Sequence, residues 1–169
     1  MLKLTYGLNL KYSEDIFMEK ARFKAPSAVF GILTDPNSGQ ILLQKRKKTG
    51  YKDGFYDLGA AGHVENNEPM TKAMQRELFE ELGIKADLAD IKFVTMIHKN
   101  DVETGKIYYN AYFLIQKYHG TPKIMEPDKN SELTWASLDK LPSQLINDRK
   151  LGVYNYLQQI PYSEFGWDK

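Results

Sequence analysis

Apolar residues along this chain change period several times, and each change marks an element. Leu2, Leu4, Tyr6, Leu8 and Leu10 alternate with polar or small residues, which predicts a half-buried strand or hairpin arm within residues 1–24. Ala28 to Leu33 is a short apolar run, and the turn cluster Asp35-Pro36-Asn37-Ser38-Gly39 leads into a second strand, Gln40 to Lys45. These two are expected to pair as a β-hairpin. Further strands are expected near Phe55 to Ala61, at Ile91–His98 and Lys106–Tyr118, and over Glu132–Ala136. Two segments repeat their apolar positions at helical spacing instead. Met70, Met74, Leu78 and Leu82 recur every four residues and line one face. Pro69 suits the first helical position, and Gly83 suits the left-handed residue that closes a helix. Leu145 to Gln159 reads as the second helix, halted by Pro161. Strands enclosed by two helices define an α/β class, an α/β/α sandwich with a mixed β-sheet between the helices.

Composition narrows what such a sandwich does. With 169 residues, 42% hydrophobic and 27% charged, residues 1–169 are the size of one ordinary domain and are expected to fold as one unit. A formal net charge of +1 supplies no global field for a polyanion, which argues against a long nucleic acid partner and leaves nucleotide-sized ligands open. The absence of cysteine excludes disulfides and thiolate metal sites and fits a cytoplasmic protein. No stretch approaches the ~20 apolar residues of a membrane span, so a soluble chain is expected.

The first helix carries the chemistry. Glu77, Glu80 and Glu81 stand at i, i+3 and i+4, which places their carboxylates within roughly 100° of arc beside the apolar stripe. A helix C-terminus is the negative end of its dipole and favours Lys or Arg, so stability alone explains two adjacent Glu before Gly83 badly. Arg76 precedes Glu80 by four residues, the weaker orientation, worth only about 0.2–0.5 kcal/mol. A hard divalent cation would offset the crowding. Oxygen-only ligands favour Mg²⁺, with Mn²⁺ as a substitute, over Zn²⁺.

These glutamates belong to a longer pattern. Gly62, Glu68, Arg76, Glu77, Leu78, Glu80, Glu81, Gly83 and Ile84 follow the spacing G-x5-E-x7-R-E-(apolar)-x-E-E-x-G-(apolar), nine specified positions within residues 62–84. That window resembles the Nudix box, and the chain resembles the MutT-like Nudix hydrolases. The resemblance implies a pyrophosphohydrolase that cleaves a nucleoside triphosphate, or another nucleoside diphosphate linked to a group X, by water attack on phosphorus. It implies Mg²⁺ held chiefly by Glu80 and Glu81, with Glu77 as a further ligand or the base, and Arg76 orienting a box glutamate. Gly62, Glu68 and Gly83 take structural roles on the same reading, and a homodimer is the oligomeric state it favours.

Outside the box, Glu132-Leu133-Thr134-Trp135 followed by Leu138-Asp139-Lys140-Leu141-Pro142 is similar to the ending of MutT-like domains. This implies Glu132 as an additional metal ligand or base, with Glu126 and Asp128 as less favoured substitutes. Lys45-Arg46-Lys47-Lys48 and Lys52 form a basic loop, either a solvated patch or, by resemblance, one in which Arg46 grips a phosphate. Tyr56 and Asp57 stand where many relatives carry an aromatic residue in the strand entering the box, on the substrate side. That strand reads Leu58-Gly59-Ala60-Ala61-Gly62-His63, a departure from the usual Pro-Gly-Gly that puts direct transfer of a substrate in doubt. In the strand Tyr108 to Phe113, one face carries Tyr108, Asn110 and Tyr112 and the other Tyr109, Ala111 and Phe113. One face belongs to the core; an opposite aromatic face suits stacking on a nucleobase, with Asn110 and Tyr112 as substrate contacts. Two alternatives stand beside hydrolysis. An isopentenyl-diphosphate isomerase is suggested by the Ala-Ala-Gly-His approach to the box, although that branch uses a cysteine. A catalytically silent, nucleotide-sensing Nudix domain is the other, although silent members commonly lack box carboxylates.

Overall fold

The computed structural model describes residues 22–167. In chain order these form β1 (Ser27–Leu33), β2 (Ile41–Arg46), β3 (Tyr56–Leu58), β4 (Ala60–His63), α1 (Met70–Leu82), β5 (Ile91–Asp101), β6 (Lys106–Ile115), β7 (Asn130–Ala136), α2 (Asn147–Gln158) and β8 (Tyr162–Phe165). Of the N-terminal arm expected within residues 1–24, residues 1–21 lie outside the described residues. Among those described, no helix is long and apolar enough to cross a membrane.

β1 lies inside a five-stranded mixed sheet of order β4-β1-β6-β5-β8, parallel to β6 and antiparallel to β4. β2 belongs to a separate antiparallel sheet of order β3-β2-β7. The hairpin expected of the first two strands is therefore corrected: an isolated bridge from Thr34 to Ile41 joins them before they diverge. The cause is burial, since Ala28 to Leu33 are buried throughout, and such a strand sits between two neighbours with both faces covered. The strand expected over Phe55–Ala61 is also corrected. It splits at Gly59 into β3 and β4, one in each sheet, where a Cβ would press within 3.2 Å of both Cβ and carbonyl oxygen of Leu42. β8, which no periodicity announced, pairs parallel with β5 after Gln159 closes α2 at φ 56°.

Alternation along β1 assigns the two faces of the sheet. Val29 and Leu33 join Met74, Leu78 and Leu82 of α1 in one apolar cluster. Phe30 and Ile32 join Tyr112, Leu145 and Val153 on the α2 side. The result is the expected sandwich of helix, mixed sheet and helix. Leu78 and Leu82 are wholly buried, so cutting either to Ala costs about 2–5 kcal/mol. Both ends of α1 are fixed as well. Pro69 stands one position earlier than expected, as the cap, and its carbonyl accepts from the Lys72 and Ala73 N–H groups. Gly83 adopts φ 68°, which lets its own N–H reach Phe79 O and that of Ile84 reach Leu78 O. The helix bearing the glutamates is thereby held in rotation and in register.

Candidate active site

A cavity of about 770 Å³ opens between the acidic face of α1, the α2-facing side of the five-stranded sheet and the segment after β2. Its size suits a small organic ligand. α1 enters it through Arg76, Glu77, Glu80 and Glu81, and β4 through Ala61, Gly62 and His63.

Arg76 organises the acidic wall. Its Nε and Nη2 donate to the two oxygens of Glu68, each at 3.0 Å, and Nη2 also donates to the His63 carbonyl at 3.0 Å. Nη1 donates to Glu77 Oε1 at 2.6 Å and to Glu80 Oε2 at 3.0 Å. A guanidinium has five N–H groups, and these bonds use them all. Glu68, held by Arg76, sits below the usual carboxylate range. Its part is to fix the arginine that aims the other carboxylates.

Glu77 and Glu81 are placed in opposition to their own charge. Glu77 is 8% exposed on the buried stripe of α1, and its carboxylate lies over Gly62, where any Cβ would overlap it. Burial pushes its proton affinity up; Arg76 opposes this, and the charges of Glu80 and Glu126 add to it. Glu81 Oε2 accepts from the Ala61 N–H at 2.8 Å and from Gln44 Nε2 at 3.0 Å. Burial dominates there too, with Glu77 adding to it against those two bonds, and the carboxyl is pushed up to about 8. Glu77 Oε2 and Glu81 Oε1 accept no hydrogen bond among the described residues. Among those residues, no three His, Asp or Glu side chains are brought together closely enough to hold a metal ion by themselves. The donor set is all-oxygen and open on the cavity side, a form that suits Mg²⁺ sharing its coordination with a ligand's own oxygens.

A second charged cluster lies deeper, toward α2. Asp57 is fully buried and accepts from Arg149 Nε at 2.8 Å and Arg46 Nη1 at 3.0 Å. Asp148 accepts from Arg149 Nη1 and lies 3.3 Å from Lys99 Nζ, which also bonds Asp101 at 2.9 Å. Burial alone would raise Asp57, but Arg149 and Arg46 outweigh it and hold the carboxyl low. Burial likewise opposes the charge on Lys99, and Asp148, Tyr51 and Asp101 outweigh it and raise its affinity. Arg149 also stacks on the Phe30 ring, 3.8 Å from its centroid.

Several residues expected at the site stand elsewhere or are occupied. Arg46 lines the cavity, but its three nitrogens donate to Asp57, Thr49 Oγ1 and Tyr51 O, so the fork expected to grip a phosphate braces the loop instead. Asp57 is an internal counterion, closed off by two arginines. Tyr112 is wholly buried, stacked on Phe30 and donating to Asp148 O, so it is core and offers no face to a base. Glu132 is exposed at the strand end opposite Lys45, accepts from Tyr56 at 3.0 Å, and stays with Tyr56 outside the cavity lining. Glu126, set down as a substitute, lines the cavity in its place. Asn110 is on the cavity wall. Gln44, Lys99, Asp148 and Arg149 were not anticipated; the available signal was a polar or charged residue inside a strand or first helical turn otherwise reading as core.

Residues 24–157 match the family model for the NUDIX domain, and the chain belongs to that family. It is 31% identical over 99 residues to a CTP pyrophosphohydrolase of Escherichia coli K12, covering 59% of this chain and 67% of that protein. It is 30% identical over 123 residues to an isopentenyl-diphosphate Delta-isomerase of Photorhabdus laumondii, covering 70% of this chain and 66% of that one. The crystal structure of a MutT Nudix hydrolase from Burkholderia pseudomallei superposes with a TM-score of 0.70 at 27% identity, over 82% of this chain and 99% of that one. The fold is the Nudix α/β sandwich, and the chain is a Nudix hydrolase.

Proposed function

We propose that this hydrolase is a Mg²⁺-dependent pyrophosphohydrolase that cleaves the diphosphate linkage of a nucleoside triphosphate, or of another nucleoside diphosphate linked to X, by water attack on phosphorus. The observation that carries the reading is the pair Glu77, buried, and Glu81, half-buried, each in the cavity wall with raised proton affinity and each with one oxygen that accepts no hydrogen bond among the described residues. Carboxylates drawn out of water with too little counter-charge are costly: Glu77 has only a share of Arg76 and Glu81 has no cation partner among the described residues, and an added cation would let both stay charged beside a polyphosphate. When bound, Mg²⁺ supplies charge neutralisation at the phosphate oxygens and an acidified water.

The protein residues supply position and proton traffic. Arg76 aims Glu77 and Glu80, and Gln44 with the Ala61 N–H aims Glu81 so that its Oε1 is the free atom. Glu77, Glu80 and Glu81 are the metal ligands in this reading. A carboxylate with raised proton affinity is suited to accept the attacking water's proton, a role open to Glu77 or Glu81. The triphosphate substrate named for the Escherichia coli relative supports this reading. The likeness to an isomerase supports the alternative, which in that branch needs a cysteine to protonate an alkene; this chain has none.

The test is a panel of nucleoside triphosphates and nucleoside diphosphate conjugates, with release of pyrophosphate and phosphate followed in Mg²⁺ and in chelator. Turnover that needs the metal is expected. Tight binding with no turnover of any member would replace the hydrolase reading with a sensor.

A further inference from the structure

Asn110 is 2% exposed, lies on the cavity wall, and among the described residues has a single side-chain hydrogen bond, from Nδ2 to Asp148 Oδ2 at 3.4 Å. A carboxylate only accepts, so Asp148 forces the amide to turn its NH₂ inward. Asp148 is itself held by Arg149 and Lys99 and has no freedom to turn away. The Oδ1 atom is left facing the cavity. It has no partner among the described residues, and it is not among their enclosed unpartnered atoms, of which only His98 Nε2 is one. The cavity therefore presents a fixed, neutral, nearly buried acceptor.

Its place relative to the acidic wall follows from strand register. Asn110 pairs with Ala28, and Ala28 with His63, whose carbonyl Arg76 holds. Two strand spacings separate Asn110 from that point, about 10 Å. This is the reach of a nucleoside measured from its phosphates to the far edge of its base. Tyr108, two residues along β6 from Asn110, and His63 line the cavity with rings 5.8 Å apart, an aromatic wall beside which a flat heterocycle fits.

Resting on the nucleotide reading above, we propose that Asn110, with its amide polarity set by Asp148, is a specificity-determining acceptor for the exocyclic amino group of a nucleobase. Bases with that amino group satisfy Oδ1. Their keto counterparts bring an oxygen against an oxygen and leave both without a donor. Asn110 contacts the substrate; Asp148 acts through it as a positioning residue.

The experiment uses base pairs of substrates that differ only in this group, CTP against UTP and ATP against ITP, with Mg²⁺ and the full chain. The amino member is expected to lead in kcat/KM by about tenfold to a hundredfold in at least one pair. Asn110→Ala should bring that ratio close to one by losing the amino member's advantage. Asp148→Asn should narrow it too, because the amide is then free to flip; circular dichroism identifies a variant that has not folded, and Asn110→Ala then carries the test alone. Equal rates within both pairs, a keto preference, or a ratio that survives Asn110→Ala overturns the assignment while leaving hydrolysis intact. If no nucleotide is turned over, the hydrolase reading fails separately, and the same pairs compared by calorimetric Kd still decide the preference.

Discussion

On the α2 side of the cavity, Asp57, Asp101 and Asp148 are matched by Arg46, Lys99 and Arg149. On the α1 side, Arg76 alone pairs with Glu68, Glu77 and Glu80, and Glu81 pairs with no cation among the described residues. Both groups are partly or wholly removed from water, yet Glu77 and Glu81 shift in the opposite sense to the ion pairs of the first group. In the matched group Asp57 is held low and Lys99 raised, so each side chain is stabilised in its charged form. In the unmatched group Glu77 and Glu81 are raised, so their charged forms are penalised. The first group completes itself with protein partners and serves shape. Among the described residues the second lacks a matching set of cations, the condition under which an added cation would complete it.

The sharpest way to break this contrast is Glu81→Gln. The amide keeps the shape and the carbonyl side of the group but removes its charge, and turnover should fall by about 10²–10⁴-fold. Steady-state kinetics on the best nucleotide of the panel measures it. Activity within a factor of a few of wild type would remove Glu81 from the site.

Next in size is the matched group. Arg149→Met keeps an apolar stem on Phe30 but leaves Asp57 and Asp148 short of a buried partner, and should destabilise the fold by about 3–5 kcal/mol. Urea unfolding reads this directly. A loss below about 1 kcal/mol would show that the cluster is solvated and that its balance does not matter to stability.

The helix glutamates were legible in the sequence because everything about them is local. The 3.6-residue period, Gly83 and the conflict with the helix dipole lie within Met70–Gly83. The matched group was not legible, because Asp57 and Arg149 meet across 92 positions of sequence. Strand partners are also nonlocal, which is why β1 and β2 were read as a hairpin and Glu132 was preferred to Glu126. Glu132 is fixed outside the cavity by its pairing with Lys45 and the register shift that follows at Arg46, and no residue pattern announces such a bulge. The Tyr-rich strand shows the same limit. Its period told which side chains share a face but not that Tyr112 is sealed under α2, its own ring lying where any Cβ on Gly152 would fall.

The two groups should also differ in how they respond to pH. Glu81 has its folded affinity raised from the ordinary 4.5 to about 8. Between those values the native carboxyl keeps a proton that the unfolded one has lost, so stability falls as pH rises through this window. Asp57 is lowered, so its contribution is full above the ordinary carboxylate range and is lost as pH falls through its folded value. Unfolding free energies measured from acid to pH 9 should therefore decline on both flanks. Glu81→Gln should flatten the alkaline flank alone, by on the order of a few kcal/mol. A variant whose alkaline decline matches that of wild type would assign it to other groups.

The smallest effect separates the clusters by ligand. If the unmatched carboxylates are a cation site, Mg²⁺ binds their ionised form, so its stabilising effect must grow with pH as protons are displaced. At a free ion concentration ten times its Kd the gain is about 1.4 kcal/mol, on the order of 3–5 °C in Tm for a chain of this size. Thermal unfolding followed at pH 5 and at pH 8.5, with and without Mg²⁺, should show a clear shift at the higher pH and little at the lower. The shift should vanish in Glu81→Gln and persist in Lys99→Met, whose lost charge belongs to the matched group. An equal shift at both pH values, or one that survives Glu81→Gln, would mean that the ion binds elsewhere and that the excess of carboxylates on α1 has another cause.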